Sequence, residues 1–185
     1  MIKAIFLDRD GVLNRSNLIR GVPVPPRSIF DVEVLEGVVE GIKLLKNHNF
    51  LPVVITNQPD VARGIVTREH VEEINTHIGI KTGIEHFYTC YHDDIDKCPC
   101  RKPAPGLIRL ATSELDINLD ESFVVGDRWR DISAGQAVGC KTFFIDYSYT
   151  EKRPDAPFTI VSSLLEAAKL VTGVSNESSY RFPEN

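Results

Sequence analysis

Short runs of consecutive apolar residues alternate along the chain with longer segments in which apolar residues recur at three- and four-residue steps. Continuous rather than alternating hydrophobicity is typical of strands that are covered on both faces, as in a parallel sheet. The alternation of such strands with helices predicts a doubly wound, Rossmann-like α/β fold. The predicted strands are residues 4–7, 51–55, 122–125, 142–145 and 158–161.

The segments between these runs are predicted helices. Apolar residues recur at helical spacing after Gly37, Thr67, Pro105 and Ser163. Threonine and serine suit the N-cap of a helix and proline suits its first turn, so three of the four starts carry a recognisable signal. Four histidines without a partner motif are expected on helices or connections, as structural or exposed residues: His48, His70, His77 and His86.

Two segments interrupt this alternation. Residues 15–36 contain three prolines, which predicts a stiffened loop with a short strand pairing near residues 32–35. Residues 88–104 contain three of the four cysteines. We expect one domain over residues 1–172, with no large cap domain, followed by a polar and mobile tail over residues 173–185.

Composition and charge narrow the class of protein. The 185 residues are 42% hydrophobic and 25% charged, with a formal net charge of -5. Net acidity argues against a protein whose main task is to neutralise nucleic-acid phosphates. Apolar runs stay far below the roughly 20 residues that span a bilayer, and the first residues turn acidic too soon for a secretory signal. We therefore expect a cytoplasmic enzyme, a monomer without nucleic-acid or membrane partners.

Polar residues end three of the predicted strands. Asp8 and Asp10 follow the first strand, Thr56 and Asn57 the second, and Asp127 the third. Ligands of open α/β sheets bind at the carboxyl ends of the strands, so these side chains are candidates for a shared site. Carboxylates gathered in one crevice repel one another unless a cation lies among them, and oxygen ligands suit Mg²⁺.

Four motifs, in order along the chain, resemble those of haloacid dehalogenase (HAD) superfamily phosphatases. The resemblance covers roughly residues 2–146, which is most of the chain. Within the superfamily the chain is similar to the subgroup that contains D-glycero-D-manno-heptose 1,7-bisphosphate 7-phosphatases and histidinol phosphatases. The motifs are Asp8-Arg9-Asp10-Gly11-Val12-Leu13-Asn14, Thr56-Asn57-Gln58, Arg101-Lys102-Pro103 and Gly126-Asp127-Arg128.

The resemblance implies hydrolysis of a phosphate monoester through an aspartyl-phosphate. Asp8 would be the nucleophile, and Asp10 would protonate the leaving oxygen and then activate water. Mg²⁺ would be held by Asp8, Asp127 and the backbone carbonyl of Asp10. Lys102 and Thr56 would bind phosphoryl oxygens where negative charge develops.

Five further residues are predicted to contact substrate, and alternatives stay open for two of them. Arg101 also fits a solvated loop arginine, and Arg63 also fits a surface arginine at a helix start. Asp131 is expected to orient other groups rather than to bind the metal. The five predicted substrate-binding residues are Asn57, Gln58, Arg63, Arg101 and Arg128.

A cluster of cysteines and one histidine predicts a second metal site. Grouped cysteines in a cytosolic protein favour metal binding over a disulfide, and three thiolates with one imidazole complete a closed, structural zinc site. The resemblance supports this prediction, because the family carries a zinc loop just before Arg-Lys-Pro. Reduced surface cysteines with a solvent-facing histidine are the alternative, and Cys140 is expected in the core. The predicted zinc ligands are Cys90, His92, Cys98 and Cys100.

The substrate is narrowed by weaker features. Ala62-Arg63-Gly64 after the second motif is similar to the heptose bisphosphate enzymes, whereas Pro59-Asp60 departs from their usual Ser-Gly. The sequence favours a Mg²⁺-dependent phosphatase acting on the 7-phosphate of a heptose bisphosphate. A histidinol-phosphate phosphatase or a phosphatase for another small ester is the alternative, and a non-catalytic zinc-stabilised interaction domain is a third. Specificity is expected in the loop that carries Arg15, Arg20 and Arg27.

Overall fold

A six-stranded parallel sheet forms the centre of the protein, in the order β5-β4-β1-β6-β7-β8. The computed structural model describes residues 1–19 and 21–174. A separate two-stranded antiparallel hairpin, β2–β3, follows the first strand. The strands are β1 (Lys3–Leu7), β2 (Asn17–Ile19), β3 (Val22–Val24), β4 (Phe50–Asn57), β5 (His86–Cys90), β6 (Phe123–Gly126), β7 (Lys141–Ile145) and β8 (Thr159–Val161).

Four of the five helices start where the sequence predicts them, and the helix over Trp129–Gln136 was not predicted. The Thr67 hydroxyl accepts a hydrogen bond from the backbone N–H of His70, and the Ser163 hydroxyl accepts one from Glu166. Each cap satisfies an N–H group that has no partner inside its helix. The helices are α1 (Val38–Asn47), α2 (Arg68–Thr82), α3 (Gly106–Leu115), α4 (Trp129–Gln136) and α5 (Leu164–Thr172).

Two hydrophobic cores cover the two faces of the sheet. Side chains of β1 alternate between them: Ile5 and Leu7 join the core that α1, α2 and α5 cover, and Ala4 and Phe6 join the core that α3 and α4 cover. All four side chains are fully buried. Burial on both faces explains the continuous apolar runs and confirms the predicted doubly wound α/β fold.

The strand order reverses beside β1 and so creates the crevice that holds the site. From β1 the chain continues to β4 and β5 on one side of the sheet, then crosses to β6, β7 and β8 on the other. The carboxyl ends of β1 and β6 flank this topological switch point, where open α/β sheets bind ligands. Asp8 and Asp127 are the residues that follow these two strands.

Two local predictions are corrected. His86 begins the edge strand β5 rather than lying on a helix or connection. Strand β5 was not predicted, because most of its residues are only half-buried and it lacks a continuous apolar run. The proline-containing loop forms the β2–β3 hairpin, and near residues 32–35 the pairing is a single antiparallel bridge between Val34 and Asn14.

The domain prediction stays a prediction. Of the tail predicted over residues 173–185, residues 175–185 lie outside the described part of the chain, as does Arg20. Among the residues that the structure describes, no helix has the length and apolar character needed to cross a membrane.

Candidate active site

Three buried carboxylates meet at the switch point of the sheet. Asp8 follows β1, Asp127 follows β6, and Asp131 lies in the first turn of α4. One carboxylate oxygen from each lies within 4.8 Å of the other two. The structure therefore brings together side chains that are more than a hundred residues apart in the sequence.

A buried lysine is the cation of this group. The Nζ atom of Lys102 lies 2.9 Å from Asp8 Oδ1 and 2.6 Å from Asp131 Oδ1, and it donates to the carbonyl of Ile55 at 2.7 Å. These three contacts use all three of its N–H donors. Burial lowers the pKa of Lys102, but attraction to Asp131 and Asp8 outweighs burial and the pKa is raised. Lys102 therefore acts as a fixed positive charge.

The carboxylates outnumber this cation. Burial, with the neighbouring charges of Asp131 and Asp10, raises the pKa of Asp8 to about 7 against the opposing effect of Lys102. Burial and the charges of Asp8 and Asp131 raise the pKa of Asp127 well above its usual range. Both shifts arise because burial disfavours the ionised form and because neighbouring ionised carboxylates repel one another.

The oxygen atoms present fit a magnesium ion. Asp127 Oδ1 is buried and has no hydrogen-bond partner among the described residues. If all three carboxylates are ionised they exceed the single ammonium group by two charges, which a divalent cation would balance. Both side-chain oxygens of Asp131 are engaged, one by Lys102 and one by the backbone N–H of Arg128. This leaves Asp8 and Asp127 as the side chains best suited to Mg²⁺.

Asp10 lines the cavity that Asp8 and Lys102 also line, but the carboxylate of Asp10 is held by a different set of side chains. Gln58 Nε2 donates to Oδ2 at 2.7 Å, Asn14 Nδ2 donates to Oδ1 at 2.9 Å, and Arg9 Nη2 donates to Oδ2 at 3.0 Å. Arg9 is fully buried, and its Nη1 also donates to Asn75 Oδ1 at 2.9 Å. Asp10 is thus fixed beside the metal-binding carboxylates, and its predicted metal contact through the backbone carbonyl stays a prediction.

Sequence reasoning missed Arg9 and Asn75 as parts of the site. Arg9 lies between the two aspartates of the first motif, and this position was the only feature of the sequence that could have marked Arg9 as part of the site. Nothing in the sequence pattern marked Asn75, whose Nδ2 donates to Thr89 Oγ1 at 3.1 Å. Both contacts depend on α2 packing beside the first strand.

The end of β4 positions the lysine and the second aspartate. Asn57 Nδ2 donates to the backbone carbonyl of Lys102 at 3.0 Å, and its Oδ1 accepts from the Lys102 N–H at 3.1 Å. Gln58 Nε2 donates to the buried Thr56 hydroxyl at 2.9 Å as well as to Asp10. The structure places these three residues against other site residues, and their predicted roles toward substrate stay predictions.

A cavity of about 350 Å³ lies above the carboxylates, and five arginines surround it. The hairpin contributes an apolar wall, residues 22–25. All three arginines predicted to bind substrate line this cavity, together with two that the motifs do not include. The five are Arg27, Arg63, Arg101, Arg128 and Arg130.

Carboxylates fix the direction of these arginines. Arg63 forms two contacts of 2.7 Å with Asp93, and Arg101 Nε donates to Asp94 at 2.7 Å. Arg128 pairs with Glu151 at 2.6 Å and 2.9 Å, a hydrogen-bonded partner that raises the pKa of its guanidinium. Paired guanidinium groups keep their charge and lose rotational freedom, so their positions are set before a ligand binds.

The predicted zinc ligands lie together: Cys90 ends β5, and the other three lie in the segment between β5 and α3. Sulfur atoms of the three cysteines are 3.2–3.7 Å apart, and His92 Nδ1 lies 3.6 Å from Cys90 Sγ and 3.4 Å from Cys100 Sγ. A tetrahedral zinc ion with Zn–S bonds of about 2.3 Å places its sulfur atoms about 3.8 Å apart. The cluster therefore fits zinc, whereas Cys140 is buried in the core as expected.

Comparison with known proteins identifies the family. A family model described as "HAD-hyrolase-like" matches residues 99–167. The chain is 32% identical over 152 residues to the D-glycero-beta-D-manno-heptose-1,7-bisphosphate 7-phosphatase of Haemophilus ducreyi, covering 76% of this chain and 80% of that protein. This chain belongs to the haloacid dehalogenase-like phosphatases. It is a phosphatase, which excludes the interaction-domain alternative.

Other relatives of this HAD-like phosphatase carry related names. The Helicobacter pylori protein of the same name is 33% identical over 139 residues, covering 72% of this chain and 77% of its own. The crystal structure of D,D-heptose 1.7-bisphosphate phosphatase from B. bronchiseptica, complexed with magnesium and phosphate, superposes with a TM-score of 0.82. The two chains are 24% identical, and the match covers 94% of this chain and 100% of that one.

Removal of zinc should loosen the cavity mouth. The segment between His92 and Cys98 carries Asp93 and Asp94, which hold Arg63 and Arg101. We expect Cys98→Ser to lower the zinc content, the melting temperature and the activity together, because the segment has little apolar material of its own. Metal analysis, thermal unfolding and phosphate release measure the three effects. Cys140→Ser is the matched control and should keep its zinc, and a zinc-free Cys98→Ser protein with normal activity would contradict the prediction.

Arg9 should stabilise the fold far more than an arginine in an exposed ion pair. We expect Arg9→Met to lower the free energy of unfolding by about 3 kcal/mol, since breaking a buried ion pair leaves its partners uncompensated. Arg15→Met is the control, because Arg15 pairs with Glu33 where both side chains are 60% exposed. Urea denaturation compares the two variants, and equal, small losses of stability would show that the buried pair contributes little.

Proposed function

We propose that this chain is a Mg²⁺-dependent phosphomonoesterase that removes the 7-phosphate of D-glycero-D-manno-heptose 1,7-bisphosphate. The supporting observation is the convergence of Asp8, Asp127, Asp131 and Lys102, of which Asp8, Asp131 and Lys102 line the cavity that the arginines surround. The names of the relatives support the substrate. The expectation of a cytoplasmic monomer stays a prediction.

Asp8 is the proposed nucleophile. A carboxylate can divide phosphoryl transfer into two easier displacements. Asp8 Oδ1 accepts from Lys102 Nζ and from the backbone N–H of Arg9 at 2.8 Å, so two donors fix the carboxylate before substrate arrives. Bound Mg²⁺ would offset part of the negative charge of Asp8, Asp127 and the phosphate and so, together with Lys102, lower the repulsion between the nucleophile and the phosphate.

The first half-reaction transfers the phosphoryl group to Asp8. A bond forms between an Asp8 oxygen and phosphorus while the bond from phosphorus to the sugar oxygen breaks, and Asp10 gives that oxygen a proton. Lys102 holds positive charge beside the transferred group throughout. The Thr56 hydroxyl accepts from Gln58, so its single proton remains for a phosphoryl oxygen.

The second half-reaction returns Asp8 to its starting state. Water attacks phosphorus, Asp10 takes a proton from that water, and the bond from phosphorus to Asp8 breaks to release phosphate. The three partners of Asp10 (Arg9, Asn14 and Gln58) all donate to it, so they bind the carboxylate form. The observed arrangement is therefore that of the base, and the acid step requires Asp10 to carry a proton and turn toward the leaving oxygen.

The arginines favour a substrate with a second negative group. Guanidinium groups bind phosphate through paired N–H donors, and five of them line one cavity. Carboxylates that pair with these arginines, such as Asp60 and Asp94, also line the cavity and neutralise part of their charge, so the second phosphate of a bisphosphate would bind the remaining guanidinium N–H donors. Histidinol phosphate presents an ammonium group instead, which cannot accept a hydrogen bond from a guanidinium group. This difference favours the heptose bisphosphate over the second candidate.

Replacement of Asp8 tests the reaction. We expect Asp8→Asn to abolish phosphate release from p-nitrophenyl phosphate and from heptose bisphosphate alike, because a carboxamide is a poor nucleophile. Phosphate release with both substrates, in wild type and variant, is the measurement. Retention of most of the activity by Asp8→Asn would contradict the mechanism.

A substrate screen tests the proposed ester. Wild-type protein is assayed for phosphate release from heptose 1,7-bisphosphate, histidinol phosphate and common sugar monophosphates. We expect the highest kcat/KM for the heptose bisphosphate. A higher kcat/KM for histidinol phosphate would replace the proposed substrate but keep the enzyme class.

Replacement of Asp10 separates proton transfer from metal binding. We expect Asp10→Asn to lower kcat by about 10²–10⁴-fold, the usual contribution of a positioned acid or base. Its Mg²⁺ affinity, measured by titration calorimetry, should stay close to that of wild type because only its backbone carbonyl is expected to contact the metal. Asp127→Asn is the contrasting variant and should lose Mg²⁺ binding. A normal kcat in Asp10→Asn would remove Asp10 from the acid–base role.

A further inference from the structure

A tyrosine outside the four motifs contacts a carboxylate of the proposed magnesium site. The Tyr149 hydroxyl donates to Asp127 Oδ2 at 2.8 Å from the segment that follows β7. Its ring stacks on Tyr147, with ring centroids 5.6 Å apart and an interplanar angle of 29°. This contact connects a peripheral segment to the buried carboxylates.

The backbone of the first motif closes the other side of the same oxygen. A Cβ atom built on Gly11 would lie 1.9 Å from Asp127 Oδ2, and Gly11 has a φ of 88°, a conformation that favours glycine. Asp127 Oδ2 is thus confined between Gly11 and the Tyr149 hydroxyl. Asp127 Oδ1 has no hydrogen-bond partner in the part of the chain that the structure describes. One oxygen is fixed, and the other remains for a cation.

The chemistry of the donor suits this arrangement. A tyrosine hydroxyl orients a carboxylate without cancelling its charge, whereas an arginine or lysine in its place would compete with a metal ion for that charge. The nearby guanidinium of Arg128 does not take this role, because it pairs with Glu151.

The segment itself is anchored near Tyr149. The pair of Arg128 with Glu151 attaches it to the fourth motif, and the Thr150 N–H contacts the Gly21 carbonyl of the hairpin at 3.5 Å. Tyr149 immediately precedes both attachment points, which hold the segment so that the Tyr149 hydroxyl is directed at Asp127 before a metal binds.

We propose that Tyr149 is a positioning residue that orients Asp127 for Mg²⁺. The inference rests on the proposed function, since it assumes the magnesium site at Asp8 and Asp127. Partners that orient metal ligands through hydrogen bonds strengthen metal binding without contacting the metal.

Calorimetric titration of Mg²⁺ into the zinc-loaded protein, without substrate, tests the proposal. We expect Tyr149→Phe to weaken Mg²⁺ binding about tenfold, in the range found for partners of metal ligands. The variant keeps the ring and its stack but leaves Asp127 Oδ2 without this donor, so we expect a small fall of the melting temperature without Mg²⁺ and a folded protein. At saturating Mg²⁺ its kcat should approach the wild-type value, because the metal then supplies the orientation. Tyr147→Phe is the matched control and should bind Mg²⁺ as wild type does.

Each outcome decides the proposal. Weaker binding confined to Tyr149→Phe, with kcat restored by excess Mg²⁺, supports it. Wild-type affinity in Tyr149→Phe, or equal losses in both tyrosine variants, overturns it and leaves the proposed function intact. Wild-type protein that binds no Mg²⁺ overturns the magnesium site and the role of Tyr149 together.

Discussion

The properties of this site depend on an imbalance of buried charge at the switch point of the sheet. The buried carboxylates there outnumber the one buried ammonium group. Three carboxylates and one ammonium group lie close together at the base of the cavity, where all four side chains are largely buried. Such a group is unstable without further compensation, and the raised pKa values of Asp8 and Asp127 express that cost. A divalent cation relieves it, so the same imbalance that opposes folding creates affinity for the metal.

Each side chain that is proposed to react is held in place by hydrogen bonds from a neighbouring residue. Asn57 holds the backbone of Lys102, Gln58 and Arg9 hold the Asp10 carboxylate, and the first-motif backbone N–H of Arg9 holds Asp8. Fixed donors and charges stabilise a transition state more effectively than mobile ones, because they need no reorganisation during the reaction. The sheet supplies this rigidity, since these residues lie at or near the ends of its central strands.

The cavity mouth depends on a different stabilising device. Zinc at the cysteine and histidine cluster would crosslink a segment that has few buried apolar residues, and that segment carries the aspartates that pair with Arg63 and Arg101. A loop closed by a structural metal ion can hold polar side chains in place without a hydrophobic core of its own. The arginines at the cavity mouth and the carboxylates at the strand ends would thus be supported separately, the first by zinc and the second by the sheet.

The sequence by itself determined five of the six sheet strands, four of the five helix starts, the carboxylates at the strand ends and the group of three cysteines and one histidine that lie together. Apolar runs, helix caps and groups of metal-ligating residue types are local patterns, so they can be recognised in the sequence without knowledge of the fold. Strand β5 was not determined, because an edge strand with half-buried residues lacks the continuous apolar run of its neighbours. Only the tertiary structure decided that Arg9 is buried against Asp10 and Asn75, that Arg130 faces the cavity, and that Tyr149 reaches Asp127. These contacts depend on the direction and burial of side chains from distant segments. The order of residues along the chain specifies neither of these properties directly.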